Sequence, residues 1–498
     1  MIGRAHVEER YSTYTRSLFL ALAAAAIAGT PLRAQAAATV PLGDQVLDVI
    51  SSGEWHRAHW GIDVRDAATG EAVFSYNAER LFVPASSLKL VVAATAAHLL
   101  GPGYRFATSF FASGPVEDGT LRGDLVVRGT GDPNLSGRFD RPMTADLEAF
   151  ADSLLAHGVK RIAGGVVADV SHWKDEPLHT DWEYYDLYWW YAAPTGPLGF
   201  NDNAIDFTIR PGPPGAPARV SWRPRTGAFV FANRTRTVPA GEEATWDFAR
   251  VPGTDTIYAF GDIPADARAR TEHFAVRDPG AYFARVLLEI LREKGIEVER
   301  EVVRVVREPA QGALAGSERI FSYWSRPLTD VIGPILLRSQ NWFAEQLLKT
   351  LGREFRSEGS WSAGLEVEVS YLRDEVGLDT LSFRLRDASG LSAGNLVTPA
   401  ALTRLLAHLH GTTAGAAVRD ALPVSAAADG SLRSRFLDLP GRVRAKTGHI
   451  RNVDSLSGYL EADSGRVLAF SVIVNGAPLG SPPTRDAIDR VVRILAKM

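Results

Sequence analysis

Ser86 and Lys89 have the residue types and the spacing with which a lysine amine can activate a serine hydroxyl. They lie in VPASSLKLVVAATAAHLL, where a proline and two serines open a long apolar run, a pattern typical of a helix N-terminus. Residues i and i+3 share one face of a helix, so the Lys89 amine can reach the Ser86 hydroxyl. A serine attacks once a neighbouring base takes its proton, and burial lowers the pKa of a lysine enough to make it that base.

The same S-x-x-K pattern occurs a second time, at Ser171 and Lys174, so the pattern alone does not identify a site. Asp175 and Glu176 follow the second copy and predict an exposed lysine, which keeps its proton. We interpret that copy as chance. Taken by itself, Ser86 is better explained as a helix-capping serine beside a surface lysine.

Two later motifs distinguish the S-x-x-K copy at Ser86 from the one at Ser171. Ser339-Gln340-Asn341 lies between two helix-like runs, and Lys446-Thr447-Gly448 ends a short β-like segment. S-x-x-K, S-x-N and K-T-G, in this order, form the motif set of penicillin-interacting serine enzymes. An earlier S-x-N match at 75–77 precedes Ser86 and breaks the order. The set therefore favours Ser86 as a nucleophile.

Composition restricts the other classes of function. A chain of 498 residues is too long for a single core, and a net charge of −4 argues against nucleic-acid binding. The absence of cysteine excludes disulfides, a thiol nucleophile and cysteine-based metal sites. The histidine pairs at 56 and 59 and at 408 and 410 have no acidic cluster beside them, so we expect neither a metal nor a cofactor.

The first 36 residues resemble an export signal. Arg16 precedes the apolar stretch SLFLALAAAAIA, and Ala34-Gln35-Ala36 fits a cleavage site of small residues. The stretch is shorter than the ~20 residues that span a bilayer. We expect a signal peptide over 1–36 and an exported, periplasmic or cell-envelope protein without a transmembrane anchor after cleavage.

The patterning of the chain predicts an α+β fold. A helix over 42–52 and two strands around an Ala-Thr-Gly-Glu turn precede Ser86, and short β-like runs fill about 105 to 310. Helices follow, and then three consecutive strands and a closing amphipathic helix. We expect an antiparallel sheet covered by helices, formed by residues 37–105 and 310–498 and interrupted by a β-rich insertion over 106–309.

The chain resembles the D-alanyl-D-alanine carboxypeptidases/endopeptidases among the low-molecular-mass, class C, penicillin-binding proteins. The resemblance rests on the three motifs and on VPASSLKL, GTGDPNL, GPLGFNDN, DASGLSAGNLVTP, LPVSAAADGSLRSRF and VDSLSGYL. It implies a transpeptidase/β-lactamase-like domain with nested β-rich inserted domains, the inner insertion at about 172–256. It also implies that peptidoglycan peptides and β-lactams are the ligands.

The resemblance implies a role for each matching position. Ser86 would attack the carbonyl between two D-alanines, Lys89 would accept its proton, and Asn341 would hold Lys89 or the substrate backbone. Ser339, tuned by Lys446, would relay a proton to the leaving amine.

The K-T-G strand would bind the substrate. Thr447 and Lys446 would bind the terminal carboxylate, and Gly448 and His449 would line the same wall. The backbone N–H groups of Ser86 and His449 would form the oxyanion hole. The chain departs from the family at two positions: Gln340 stands where aspartate is frequent, and His449 where threonine is common.

Several alternatives stay open at this point. A β-lactamase or esterase would use the same acylation, and a non-catalytic cell-wall scaffold or sensor would keep the fold alone. Carboxypeptidase and endopeptidase activities are not separated, and the oligomeric state is not predicted. We assign Glu345 no catalytic role, and we interpret the aromatic run at 182–194 as a buried wall rather than a stacking surface for glycan or peptide.

Overall fold

The two ends of the chain form one sheet. The computed structural model of the protein describes residues 40–139, 141–174, 177–308 and 314–498; the predicted signal peptide lies outside them. Its helices are α1 (Leu42–Ser51), α2 (Lys89–Leu99), α3 (Ala145–Ala156), α4 (Pro279–Glu293), α5 (Leu328–Leu337), α6 (Asn341–Arg356), α7 (Trp361–Asp374), α8 (Pro399–Leu409), α9 (Thr413–Asp420) and α10 (Ser481–Leu495).

The strands are unevenly long, from two residues to nine. They are β1 (His59–Asp66), β2 (Ala72–Tyr76), β3 (Ala107–Ala112), β4 (Val116–Glu117), β5 (Thr120–Leu121), β6 (Leu125–Gly129), β7 (Arg161–Ile162), β8 (Val166–Asp169), β9 (Ala204–Arg210), β10 (Arg219–Arg223), β11 (Val230–Val238), β12 (Asp247–Arg250), β13 (Thr256–Pro264), β14 (Arg270–Ala275), β15 (Glu297–Val298), β16 (Arg304–Val306), β17 (Glu318–Trp324), β18 (Phe383–Arg384), β19 (Leu396–Val397), β20 (Val443–Ile450), β21 (Val453–Glu461) and β22 (Val467–Asn475).

The central sheet is antiparallel and has the order β2-β1-β22-β21-β20. Successive side chains of a strand point to opposite faces, and β22 shows the consequence. Ala469 and Ile473 face the core that contains α2 and α8, whereas Phe470 and Val472 face the core that contains α10. Because both of its faces are covered, β22 is a continuous apolar run. The strand order places β20 at one edge of the sheet.

Helix α2 passes through the core and is buried on every side. Residues 90–97 are all at most 2% exposed, which explains why the helix lacks a polar face. Ser86 lies in a 3-10 turn, Ala85–Leu88, and α2 itself begins at Lys89. The predicted helix is therefore present, but its first turn is tighter than an α-helical one.

The residues between β3 and β17 form four further sheets. Their orders are β16-β8-β6-β3-β17, β15-β7-β5-β4, β10-β9-β14 and β11-β13-β12. Helix α3, which the sequence analysis did not predict, buries Leu147, Phe150, Ala151 and Leu154 against these sheets, at helical spacing. The boundaries at 106 and 309 and the inner insertion at about 172–256 stay predictions. Among the helices described, none is both long and apolar enough to cross a membrane.

Candidate active site

Lys89 and Ser86 are in direct contact. Lys89 Nζ lies 2.8 Å from Ser86 Oγ, as the i, i+3 spacing predicts. The Lys89 side chain is fully buried, whereas Ser86 is half-buried and reachable from solvent. Ala85, just before the nucleophile candidate, has a φ of +49°, a left-handed conformation that a non-glycine residue adopts at a cost and that is frequent at functional sites.

Three oxygens surround Lys89 Nζ. Besides Ser86 Oγ, they are Asn341 Oδ1 at 2.7 Å and the Ser389 carbonyl at 2.6 Å. A neutral amine has two N–H groups and one lone pair. The amide and the carbonyl oxygen only accept, so they take the two N–H groups, and the lone pair is left for the Ser86 hydroxyl.

Because it is buried, Lys89 can be a neutral amine near pH 7. Burial lowers the pKa of Lys89 to about 7, and the negative charges of Glu345 and Asp387 oppose that shift. Without those carboxylates the pKa would lie lower still.

A second hydroxyl and amine lie opposite the first pair. Lys446 Nζ donates to Ser339 Oγ at 2.9 Å and to the Thr447 carbonyl at 2.6 Å. Burial, and then the nearby charge of Lys89, hold the pKa of Lys446 well below its ordinary value. Ser339 is half-buried with a φ of +60°, so the turn between α5 and α6 aims its hydroxyl at Lys446 in a strained conformation.

The other two side chains of the S-x-N motif, Asn341 and Gln340, hydrogen-bond to neighbouring segments. Asn341, the first residue of α6, accepts from Lys89 and donates through Nδ2 to the Tyr191 carbonyl at 2.7 Å. Both ends of its amide are thus engaged, which matches the alternative in which Asn341 holds Lys89. Gln340 is buried and donates to Asp202 Oδ2 at 2.9 Å, so it ties the motif to the segment before β9.

Replacing Asp202 by alanine should destabilise the protein by about 3 kcal/mol. Asp202 accepts from Ser136 Oγ at 2.6 Å, from Arg138 Nε at 2.5 Å and from Gln340, and its removal leaves a nearly buried guanidinium poorly paired. Urea unfolding measures the loss. Asp202→Asn is the matched control, because asparagine keeps an acceptor and tolerates the φ of +55° at this position. Equal losses in both variants would contradict this account.

Two glycines let the backbone of Ser86 lie between neighbouring segments. A Cβ on Gly448 would lie 2.8 Å from the Pro84 carbonyl and 3.0 Å from Ser86 N, and one on Gly390 would lie 2.0 Å from the Ala85 carbonyl. Both positions therefore need glycine. The edge strand β20 thereby runs directly beside the nucleophile candidate, where the oxyanion hole is expected.

Thr447 and His449 line the outer part of β20. Thr447 Oγ1 lies 2.9 Å from Ser431 Oγ, on the accessible side of the strand. His449 Nδ1 lies 3.1 Å from Asp454 Oδ1 and 3.2 Å from the Val453 carbonyl. Both partners only accept, so Nδ1 carries a proton. One face of the His449 imidazole is exposed to solvent, at the position where the family commonly has threonine.

The second S-x-x-K does not form a comparable pair. Lys174 is two-thirds exposed and forms an ion pair with Glu358 at 2.8 Å. Ser171 Oγ donates to Asp169 Oδ1 at 2.7 Å. Each side chain is bonded to a carboxylate, as expected for structural residues. The aromatic run at 182–194 is mixed: Trp182 and Trp189 are buried, as expected of a wall, but Tyr184 and Tyr185 are exposed.

The sequence analysis assigned Glu345 no catalytic role and did not foresee that carboxylates lie behind Lys89. Glu345 is fully buried, and burial, then the charge of Asp387, raise its pKa to about 7. It accepts hydrogen bonds from the N–H groups of Ala388 and Ser389. The signal that would have found it is its spacing, i+4 from Asn341, which places both on one face of α6.

The comparisons with known proteins extend over nearly the whole described chain. A model of the D-Ala-D-Ala carboxypeptidase 3 (S13) family matches residues 42–498. A D-alanyl-D-alanine carboxypeptidase of an Actinomadura species is 34% identical over 445 residues, which cover 86% of this chain and 80% of that protein. The predicted resemblance to the D-alanyl-D-alanine carboxypeptidases is thereby confirmed.

Solved structures show the same fold. Penicillin binding protein 4 from Haemophilus influenzae superposes with a TM-score of 0.78 at 22% identity, over 90% of this chain and 98% of that one. A second structure of that protein, complexed with a β-lactam, gives a TM-score of 0.74 at 21% identity, over 92% and 98% of the two chains. The predicted fold class is confirmed.

Proposed function

The chain belongs to the D-Ala-D-Ala carboxypeptidase 3 (S13) family and is a serine-type carboxypeptidase, and on that premise we propose that Ser86 is its nucleophile and Lys89 its general base. The substrate in this proposal is a peptidoglycan stem peptide that ends in D-alanyl-D-alanine. The single observation that carries it is the contact of a reachable Ser86 hydroxyl with the buried Lys89 amine.

Acylation begins when the lone pair of Lys89 takes the Ser86 proton. Ser86 Oγ then bonds to the carbonyl carbon between the two D-alanines, and the carbonyl oxygen becomes an oxyanion. The N–H groups of Ser86 and His449 would stabilise that charge. The i, i+3 geometry makes the proton transfer direct, because the 2.8 Å between Lys89 Nζ and Ser86 Oγ is a hydrogen-bonding distance.

The leaving group needs a proton on its nitrogen. Ser339 donates its hydroxyl proton as the C–N bond breaks, and it regains one from Lys446, to which it is hydrogen-bonded. The proton that Lys89 took from Ser86 then replaces the one that Lys446 gave, so Lys89 is again a neutral amine before the hydrolysis step. D-alanine then departs as a neutral amine. Water hydrolyses the remaining ester of Ser86, with Lys89 taking one proton of the water and Ser86 recovering its own.

The K-T-G strand supplies the carboxylate site of the proposal. Lys446 is buried at this end of β20, and its ammonium form would attract a substrate carboxylate while Lys89 acts as the neutral base. Thr447 and Lys446 would contact that carboxylate, while Gly448 and His449 line the wall. A β-lactam carries a carboxylate and a strained amide in a similar arrangement, so it would acylate Ser86 in the same way.

The test is covalent labelling combined with product analysis. Incubation with benzylpenicillin should add the mass of one penicilloyl group, and peptide mapping should place it on Ser86. A stem pentapeptide should release free D-alanine, whereas a cross-linked muropeptide tests the endopeptidase activity. An unlabelled but folded protein, or an adduct on Ser171, would overturn the proposal. Rapid turnover of nitrocefin would instead favour the β-lactamase alternative.

The rate of acylation should rise with pH, with a midpoint near 7. Lys89, whose pKa burial lowers to about 7, cannot accept a proton below that pH and is free to do so above it. Stopped-flow measurement of acylation by a fluorescent penicillin at a series of pH values gives the midpoint. Because Lys446 is close and also titrates, the midpoint belongs to the pair. A midpoint near the ordinary lysine pKa would contradict a buried base.

We also propose that the enzyme acts outside the cytoplasm. Peptidoglycan stem peptides are found in the cell envelope, and the predicted signal over 1–36 would deliver the chain there. Fractionation of cells that produce the full chain, with N-terminal sequencing of the mature protein, tests both export and the predicted cleavage after Ala36.

A further inference from the structure

The carbonyl that holds Lys89 is itself held by a buried carboxylate. The Ser389 carbonyl accepts from Lys89 Nζ, and the N–H of the same residue donates to Glu345 Oε1 at 2.8 Å. We propose that Glu345 is a positioning residue that fixes the Ser389 carbonyl on Lys89 and whose negative charge sets the pH at which Lys89 becomes a base. This inference rests on the proposed function of Ser86 and Lys89.

Glu345 is held rigidly and is out of reach of the substrate. Its Oε1 accepts from Ser389 N, and its Oε2 accepts from Ala388 N at 3.2 Å and from Trp361 Nε1 at 2.9 Å. The side chain is fully buried. Three donors on one carboxylate partly offset the cost of burial and the charge of Asp387, which together raise the pKa of Glu345 to about 7. Glu345 therefore acts through the loop and through its charge, without touching reacting atoms.

One helix thus controls Lys89 by two routes. Asn341 and Glu345 are one turn apart on the same face of α6. Asn341 bonds to Lys89 directly, and Glu345 bonds to the peptide groups of the loop that bonds to Lys89. Because α6 is a rigid helix, Asn341 and Glu345 keep a fixed separation. The two N–H groups of the neutral Lys89 amine therefore stay hydrogen-bonded to Asn341 Oδ1 and the Ser389 carbonyl, and its lone pair points at Ser86.

The charges around Lys89 come from four elements. Lys446 on β20 contributes positive charge when it is protonated, while Glu345 on α6 and Asp387 in the loop before β19 contribute negative charge when they are ionised. Glu368 on α7 is a third buried carboxyl, and burial with its two acidic neighbours raises its pKa far above the ordinary value, which favours its neutral form. Two carboxylates therefore face two buried lysines, and Glu345 has the larger effect on Lys89.

The test is the pH profile of acylation in Glu345→Gln. Loss of the negative charge should move the acidic midpoint to lower pH by about one unit, since an opposite charge no longer favours the ammonium form. The maximal rate should fall at least tenfold, because an amide nitrogen cannot accept from both Ala388 and Trp361. The rate constant for acylation by a fluorescent penicillin, measured across about pH 5 to 9, reports both changes.

Glu368→Gln is the matched control. It makes the same substitution at another buried glutamate of the cluster. Because burial already favours the neutral form of that carboxyl, the midpoint should stay where it is. Glu345→Asp keeps the charge but shortens the side chain, so the maximal rate should fall while the midpoint shifts less than in Glu345→Gln. Thermal melting confirms that each variant is folded.

Trp361→Phe tests the proposal if Glu345→Gln fails to fold. Removing the indole N–H takes one donor from Glu345, which makes its carboxylate easier to protonate, and the midpoint should move in the same direction by a smaller amount. An unchanged midpoint in the folded variants, with the rate lowered equally at every pH, would overturn the inference. Wild-type protein that is never acylated would overturn the proposed function instead, so the two failures are distinguishable.

Discussion

Replacing Ser86 by alanine should abolish covalent labelling by penicillin and reduce D-alanine release by at least about 10⁴-fold. The nucleophile forms the only bond to the acyl group, and the lysines around it cannot take its place, because both are engaged by neighbouring oxygens. Intact-protein mass spectrometry measures the adduct, and a coupled assay for free D-alanine measures turnover.

The matched control is Ser171→Ala. It removes the serine of the second S-x-x-K, whose hydroxyl donates to Asp169, so labelling and turnover should remain near the wild-type level. Residual labelling of Ser86→Ala at the wild-type rate would exclude Ser86 as the nucleophile. Equal losses in both variants would indicate a general effect on folding, which thermal melting distinguishes from a loss of chemistry.

The sequence predicted the parts of the site that depend on local pattern. The i, i+3 spacing predicted the contact of Ser86 with Lys89, and the family resemblance implied that Ser339 and Lys446 act together. Spacing along a helix determines geometry without the rest of the fold. The strands around K-T-G were also predicted from local pattern, because their apolar runs indicate a covered sheet.

The rest of the site depends on contacts between distant segments. The Ser389 carbonyl meets Lys89 across 300 residues of sequence, and no local pattern indicates which carbonyl does so. Glu345 lies on a helix that is buried from Asn341 through Gly352, although its polar residues indicate a solvent-facing side. A buried charge is stable there only because the loop and Trp361 supply donors, a condition that one sequence does not reveal.

Replacing Lys89 by methionine should lower the rate of acylation of Ser86 by about 10³- to 10⁴-fold and remove the midpoint near pH 7. Methionine is one atom shorter than lysine but keeps an unbranched apolar side chain, so the core around α2 stays largely filled. The Ser86 hydroxyl loses its base, and Asn341 Oδ1 and the Ser389 carbonyl lose a shared donor. Stopped-flow acylation at several pH values checks both effects.

Lys446→Met distinguishes loss of the base from loss of positive charge. Lys446 contacts Ser339 rather than Ser86, so its removal should slow acylation less and leave a pH-dependent rate, because Lys89 still titrates. The midpoint should then rise, since a neighbouring positive charge no longer disfavours the ammonium form of Lys89. If Lys446→Met instead removed the pH dependence while Lys89→Met kept it, the base would be Lys446, and the assignment of the two amines would have to be exchanged.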